Sequence, residues 1–184
     1  MSEPDARTVN IKAWIERAQH DPAAYVERQA TEIVLFAMGS IPGYESRFFL
    51  KGGILMAMVY ESPRGTGDVD FTTDLTATPD FADKLRKELD QALLRAAAQR
   101  GYPDLLLRVQ TIKERPRPFA SAGVSYPSLE MTIAYARRGT KNADRLARGQ
   151  AVHVVEIEIS FNEPVHAIQI IQLDEKAHKF RPTA

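Results

Sequence analysis

The sequence predicts an α/β (α+β) fold, in which a mixed sheet is flanked by helices and preceded by a helical N-terminal segment. Apolar residues recur at three- and four-residue steps in 10–38 and 79–100, which indicates amphipathic helices. Polar and apolar residues alternate in several segments after residue 104, which indicates strands. With 184 residues, of which 44% are hydrophobic and 26% charged, the chain suits one globular domain.

The N-terminal segment is predicted to form two helices. Ile11 and Trp14 begin a helical spacing of apolar residues that continues to residue 38. Asp21 and Pro22 interrupt this pattern, because aspartate caps helix N-termini and proline is favoured at the first helical position. The stretch 39–43, which contains two glycines and a proline, is predicted to end the second helix.

The central segment is predicted to form a strand, a helix and a second strand. Residues 48–51 are typical of a short buried strand. Residues 54–60 are apolar on every side, so a helix there is expected to be buried all round. A loop with a proline and two glycines covers 61–67, and alternation of polar and apolar residues predicts a strand at 68–72.

The second half of the chain combines one long helix with several strands. Residues 79–100 are amphipathic, with Leu85 and Leu89 on the apolar stripe, and Gly101 is predicted to stop the helix. Strand patterns follow at 105–112, 129–136, 152–161 and 167–173. The charged stretch 137–149 is predicted to be a loop.

Composition and charge exclude several classes of protein. Lys plus Arg and Asp plus Glu number 24 each, so the net charge of zero excludes a uniformly basic nucleic-acid-binding surface. The absence of cysteine excludes disulfides, thiolate metal sites and a cysteine nucleophile. The acidic, polar start is unlike a signal peptide, and no apolar stretch approaches the ~20 residues of a membrane span. A cytoplasmic protein with no membrane contact is expected.

One local cluster of basic residues lies in the predicted loop 137–149. Its five cations, opposed only by Asp144, are Arg137, Arg138, Lys141, Arg145 and Arg148. Such a cluster can bind an RNA backbone. A solvated hairpin explains the same residues and is the favoured interpretation.

Gly52 and Gly53 form the first chemically suggestive feature. Glycines between a strand and a helix allow backbone N–H groups to approach a ligand closely, and the helix start has partial positive charge. The pair therefore suits a phosphate. Plain packing of the helix against the strand is the alternative, and it is the commoner role of such a pair.

Asp68 and Asp70 form the second feature. Residues two apart on a strand point to the same face, about 6.6–6.8 Å apart along the chain. Two ionised carboxylates on one face repel each other unless a cation lies between them, and Mg²⁺ prefers such ligands. A solvent-facing strand edge is the alternative. Together with a phosphate site about fifteen residues earlier, the pair indicates nucleotidyl transfer.

The same residues resemble the signature of the AbiEii/AbiGii-type nucleotidyltransferase toxins. That signature is Leu-Lys-Gly-Gly-Thr-Ala-Leu, a Tyr five residues on, and Arg-x-Ser/Thr-x-Asp-Ile/Leu-Asp-Phe. The matching residues are Phe49, Leu50, Lys51, Gly52, Gly53, Leu55 and Tyr60, followed by the run Arg64, Gly65, Thr66, Gly67, Asp68, Val69, Asp70 and Phe71. The close match spans 48–71, and a looser one runs from 152 to 180.

The resemblance implies a polymerase-β-like nucleotidyltransferase fold and the toxin role in a type IV toxin–antitoxin or abortive-infection system. It implies NTP as substrate with Mg²⁺ (or Mn²⁺), and a tRNA 3′ end or other RNA as acceptor. A cognate winged-helix antitoxin is an expected partner. Some relatives are associated with GTP.

The resemblance also implies the roles of several residues around the glycines. Lys51 is expected either to bind the nucleotide or to pair with a carboxylate of the protein. Arg64 is expected to clamp a phosphate or to brace the aspartates, and Thr66 to supply a hydroxyl near the phosphates.

Two further catalytic residues are expected in the second half of the chain. This class of transferases uses a third carboxylate on a neighbouring strand, to bind metal or to take the acceptor proton. Glu158 aligns best with it and Glu156 is the alternative, although both also suit the wet face of an amphipathic strand. Lys176, after Glu175, resembles a family lysine that reaches the nucleotide phosphates; a solvated terminal lysine is the alternative.

The chain departs from the family pattern in two places. Ile54 stands where the family has a hydroxyl residue, so a side-chain contact to phosphate is lost there. The later Lys-Asp-x-x-Asp element of the family is missing. This is expected of a shortened family member, of an incomplete gene product, or of a protein whose partner supplies the rest. The expected organisation is a single nucleotidyltransferase-like domain with N-terminal helices at 1–43, a catalytic core at 44–173 and the start of a truncated helical region at 174–184.

These departures leave alternatives to an active transferase. The first is a catalytically weak or inactive nucleotide (GTP)-binding module of the same fold. The second is a structural or interaction domain without a nucleotide site.

Overall fold

The computed structural model describes residues 7–59, 67–117, 126–165, 171–173 and 179–180. Its helices are α1 (Ile11–Glu16), α2 (Pro22–Ser40), α3 (Gly52–Val59), α4 (Phe81–Gln99) and α5 (Lys141–Ala147). Its strands are β1 (Arg7–Val9), β2 (Phe48–Lys51), β3 (Val69–Thr73), β4 (Leu105–Arg115), β5 (Ser128–Arg137), β6 (Val154–Phe161), β7 (Ile171–Leu173) and β8 (Lys179–Phe180). Within these ranges no helix is long and apolar enough to cross a membrane.

A five-stranded sheet in the order β2-β3-β6-β5-β4 is the centre of the fold. Strands β3 and β6 are parallel, whereas the other neighbouring pairs are antiparallel. The predicted mixed sheet flanked by helices is therefore confirmed. A second small sheet, in the order β1-β7-β8, was not predicted as a sheet. Strand β7 lies within the strand predicted at 167–173, whereas β1 and β8 are too short to show alternation.

One face of the large sheet packs on helices α2 and α4 to form the core. The apolar stripe of α4 is buried as predicted, and Leu85, Leu89 and Leu93 are each 0% exposed. They belong to one cluster with Ile133 and Ile159 of the sheet. Each fully buried leucine stabilises the fold by about 1.5–3 kcal/mol, so this face is fixed in position.

The predicted helix boundaries at Asp21 and Gly101 are confirmed. The Asp21 side chain accepts hydrogen bonds from the backbone N–H groups of Ala23 and Ala24, and Pro22 is the first residue of α2. Gly101 has a φ of +86°, the left-handed conformation that commonly ends a helix.

The prediction of a loop throughout 137–149 is wrong, because it contains α5. The Thr140 side chain caps this helix by accepting from the N–H of Ala143. Leu146 is buried in a second small cluster with Ala134 and Ala136. The charged residues obscured a helix that depends on one buried leucine and a threonine cap.

The prediction that 54–60 is buried on every side is wrong for part of the described stretch 54–59. Met56 is 47% exposed, while Ile54, Leu55 and Met58 are buried. One side of α3, which carries Met56, therefore meets solvent.

Candidate functional site

A row of charged residues crosses the whole five-stranded sheet. The strand register pairs Lys51 with Asp70, Asp70 with Glu158, Glu158 with Glu130, and Glu130 with Lys113. Because paired residues on neighbouring strands project from the same face, the five side chains share one side of the sheet. This is the face opposite the α2–α4 core, and we call it the polar face.

Alternation along β6 explains how its carboxylates reach the polar face. Val155, Ile157 and Ile159 are buried, whereas Glu156 and Glu158 are exposed. This confirms the predicted orientation of the strand. Glu158 is the residue in register with Asp70, and Glu156 lies two residues earlier on the same face.

A cavity of about 290 Å³ opens on the polar face. Its lining includes five carboxylate residues, which are Asp68, Asp70, Glu130, Glu156 and Glu158. The structure therefore brings Asp68 and Asp70 to one cavity, together with Glu158 and its alternative. Asp68 lies just before β3, and Asp70 lies within it.

Gly52 directly adjoins the carboxylate of Asp70. The antiparallel β2–β3 register places Lys51 opposite Asp70, so α3 begins beside that carboxylate. Gly52 has a φ of +76°, and a Cβ atom added there would lie 2.0 Å from Asp70 Oδ2. Backbone conformation and space therefore both require glycine. The glycine pair and the aspartate pair belong to one site, with the N-terminal amides of α3 at the edge of the carboxylate cavity.

Ile54 points away from this site. Its side chain is 2% exposed and belongs to the core cluster with Leu55 and Met58. The position at which the resemblance implies a hydroxyl residue is thus a packing position in this chain, and any phosphate at the start of α3 would be held by backbone N–H groups.

Lys51 has partners on the polar face. Its Nζ atom lies 2.5 Å from Glu163 Oε2 and 3.2 Å from Ser160 Oγ, and both are hydrogen bonds. Burial is the largest influence and raises the pKa of Glu163, but the hydrogen bond and charge of Lys51, with hydrogen bonds from Thr72 and Ser160, together lower that pKa below its ordinary value. Of the two expected roles, pairing with a carboxylate is the one present in this structure.

The pKa of Asp70 is raised above its ordinary value. Burial is the main cause; Lys51 acts in the opposite direction, and the charges of Asp68 and Glu163 raise the pKa further. A nearby cation would stabilise the ionised form of a carboxyl group in this environment.

The carboxylate donors suit a hard divalent cation. In the described part of the chain, no three Asp, Glu or His side chains converge closely enough to hold an ion by themselves. Mg²⁺ does not need such a cage, because it is commonly bound by one or two carboxylates together with substrate phosphates. Asp68 and Asp70 fit that mode, and Glu158 as a third ligand stays a prediction.

Three predicted site residues lie outside the described residues. They are Arg64, Thr66 and Lys176.

Glu130 is the residue that sequence reasoning missed. It stands beside Glu158 in the sheet and lines the cavity. Arg115 binds it through two hydrogen bonds, of 3.1 and 3.2 Å. The alternation of Leu129, Glu130 and Met131 was visible in the sequence, but only the β5–β6 pairing shows that Glu130 faces the same cavity.

A protein family and a solved structure resemble this chain. A protein-family model described as nucleotidyl transferase AbiEii toxin, type IV toxin–antitoxin system, matches residues 33–183. Among solved structures, MenT4, a nucleotidyltransferase toxin from Mycobacterium tuberculosis H37Rv, matches with 14% identity and a TM-score of 0.42. That match covers 95% of this chain and 55% of MenT4, so the chain spans about half the length of that protein. No curated protein sequence matches significantly.

Proposed function

The chain belongs to the AbiEii family of nucleotidyltransferase toxins, and we propose that it transfers a nucleoside monophosphate from an NTP to an RNA end, with a tRNA 3′ end as the first candidate acceptor. The main support is the direct approach of Gly52 to Asp70 at a cavity that Asp68 and Glu158 also line. The glycine turn that would bind phosphate thus adjoins a set of carboxylates that would bind metal.

Asp68 and Asp70 would hold Mg²⁺ (or Mn²⁺) on the polar face. The bound ion would neutralise the phosphate charge that develops during transfer. The raised pKa of Asp70 is consistent with this role, because the buried carboxylate has an unfavourable charge that a cation balances.

The other groups of the site have distinct tasks in this proposal. The N–H groups of Gly52, Gly53 and the first turn of α3 bind the triphosphate. Glu158 accepts the proton of the acceptor hydroxyl. The hydroxyl oxygen forms a bond to the α-phosphorus, the bond from that phosphorus to the bridging oxygen breaks, and pyrophosphate leaves on the opposite side.

The proposed partners follow from membership of a toxin–antitoxin family. They are an NTP, an RNA acceptor and a cognate winged-helix antitoxin. Arg64, Thr66 and Lys176 remain proposed contacts to the nucleotide phosphates.

A nucleotide-binding module that transfers slowly or not at all is the second candidate function. Two observations favour it. Ile54 removes a hydroxyl from the phosphate site, and Lys51 is bound to Glu163 rather than turned toward the start of α3. GTP is the nucleotide to test first.

Transfer of labelled nucleotide separates the two functions. The protein is incubated with each labelled NTP, Mg²⁺ and total tRNA, and label in RNA is measured for wild type, Asp70→Asn and the exposed control Asp144→Asn. We expect wild type and control to label RNA, and Asp70→Asn to lose at least about a hundredfold in rate. Thermal stabilisation by NTP and Mg²⁺ without transfer supports the module instead. If the protein shows no thermal stabilisation and no transfer, both functions are contradicted.

A further inference from the structure

A second cleft adjoins the carboxylate cavity at the edge of the sheet. It measures about 460 Å³ and lies between edge strand β4 and the first turns of α4. Four cationic residues line it against two carboxylates; the cations are Arg86, Lys113, Arg115 and Arg117, and the carboxylates are Asp83 and Glu114. We call this cleft the edge groove.

Lys113 lines both the edge groove and the carboxylate cavity. It is the last member of the charged row, three strands from Asp70, which is about 14 Å at the usual strand spacing. The polar face therefore changes from predominantly acidic at β3 and β6 to basic at β4. A polyanion repelled by the acidic cavity is attracted at the adjoining edge.

From this arrangement we propose that the edge groove binds the phosphate backbone of the acceptor RNA strand, close to its reactive end. The inference rests on the proposed function. In an in-line displacement the leaving group and the attacking hydroxyl lie on opposite sides of the phosphorus. Since the triphosphate site at Gly52 is on the β2 side of Asp70, the hydroxyl must arrive from the side of β6, β5 and β4.

The cations of the edge groove differ in whether they already bind other groups of the protein. Arg86 is half-buried and donates a 3.0 Å hydrogen bond to the Val109 carbonyl, and Arg115 is held by Glu130. Lys113 and Arg117 have exposed side chains. These two are therefore the residues expected to contact RNA phosphates.

The basic cluster of 137–149 is a less suitable place for the RNA. Arg137 is bound to Asp104 and Gln29, so part of the cluster is structural. Leu146 covers the end of the polar face nearest this cluster by packing on Ala134 and Ala136. The edge groove, in contrast, shares a lining residue with the cavity.

The test compares two double variants with the same change of charge. Lys113→Gln/Arg117→Gln removes two cations from the groove. Lys87→Gln/Arg95→Gln removes two exposed cations of α4 that do not line it. Binding of 5′-labelled total tRNA is measured in EDTA at several salt concentrations, nucleotide binding by thermal shift with NTP and Mg²⁺, and transfer by label in RNA.

We expect the groove variant to lose affinity for tRNA by roughly 25-fold at 0.1 M salt, and its plot of log affinity against log salt to be shallower by about 1.4, at about 0.7 per phosphate contact. Nucleotide binding and the control variant should match wild type. If wild type transfers nucleotide and the groove variant binds tRNA with the same affinity as wild type, the groove assignment is wrong while the proposed function stands. Equal losses in both variants also overturn it, and a wild type that neither binds nor labels RNA overturns the proposed function as well.

Discussion

At the scale of single residues, Gly52 determines how closely the start of α3 approaches the Asp70 carboxylate. Its left-handed backbone places the start of α3 against Asp70, in a space where no side chain fits. The glycine pair was visible in the sequence as a weak signal. What makes Gly52 indispensable is the Asp70 carboxylate, which arrives from a different strand.

Gly52→Ala and Gly43→Ala form a matched pair of substitutions. Gly43 also has a positive φ, of +87°, but nothing lies within 4 Å of an added Cβ. Both variants should lose about 1 kcal/mol of unfolding free energy to backbone strain. Gly52→Ala should lose additional unfolding free energy, because its Cβ displaces the Asp70 side chain. For the same reason, only Gly52→Ala should no longer be stabilised by NTP and Mg²⁺. Urea unfolding and thermal shift measure the two effects; equal behaviour of both variants would show that the close approach is unimportant.

The lowered pKa of Glu163 predicts that the free energy of unfolding depends on pH. This pKa is lowered in the folded state, because the pairing with Lys51 and the hydrogen bonds from Thr72 and Ser160 together outweigh burial. A carboxyl group with a lowered folded-state pKa contributes stability that is present above its unfolded pKa, near the ordinary value of 4.5, and is lost as the pH falls through the folded value.

The corresponding experiment is urea unfolding of wild type and Glu163→Gln between pH 3 and pH 7. We expect wild type to be the more stable protein at pH 7 and the difference to shrink progressively below about 4.5. A difference that stays constant over this range would mean that the Lys51–Glu163 pair contributes nothing through ionisation.

At the scale of elements, a buried glutamate connects the helical layer. Glu32 of α2 is 0% exposed. It accepts hydrogen bonds of 3.0 Å from Lys12 Nζ, 2.7 Å from Arg100 Nε and 2.8 Å from the Tyr102 hydroxyl. The network links α1, α2 and the end of α4, and so it holds the layer on which the sheet packs.

Glu32→Gln should therefore destabilise the protein strongly. Removing one partner of a buried ion pair costs about 3–5 kcal/mol, because the remaining charges lose their compensation. Glu130→Gln, which breaks the exposed pair with Arg115, should cost only about 0–1 kcal/mol. Denaturant midpoints of the two variants give the comparison, and similar values would show that the Glu32 network is not stabilising.

The elements also show where prediction from sequence succeeds. Helix α4 and strand β6 were predicted closely, because each has a long and regular apolar pattern. Helix α5 was missed, since its single buried leucine gives no periodicity in a charged stretch. Strands β1 and β7 pair with each other across most of the chain length, and such pairing leaves no trace in either segment alone.

At the scale of the whole molecule, a net charge of zero conceals a strongly uneven distribution. The polar face holds five carboxylates around one cavity, and the groove beside it holds four cations against two carboxylates. Composition excluded a uniformly basic surface and could not reveal this separation. An acidic cavity next to a basic groove is the arrangement expected under the proposed function, in which a metal-bound nucleotide is joined to an RNA end.

The sequence by itself determined the helices and strands with regular periods, the twin glycines, the Asp68–Asp70 pair and the family resemblance, because all of these are local patterns along the chain. Only the tertiary structure decided that Gly52 lies against Asp70, that Glu130 and Lys113 stand in the same row, and that Lys51 binds Glu163. The reason is that strand order and register bring together residues far apart in sequence, and no local pattern specifies which strands become neighbours.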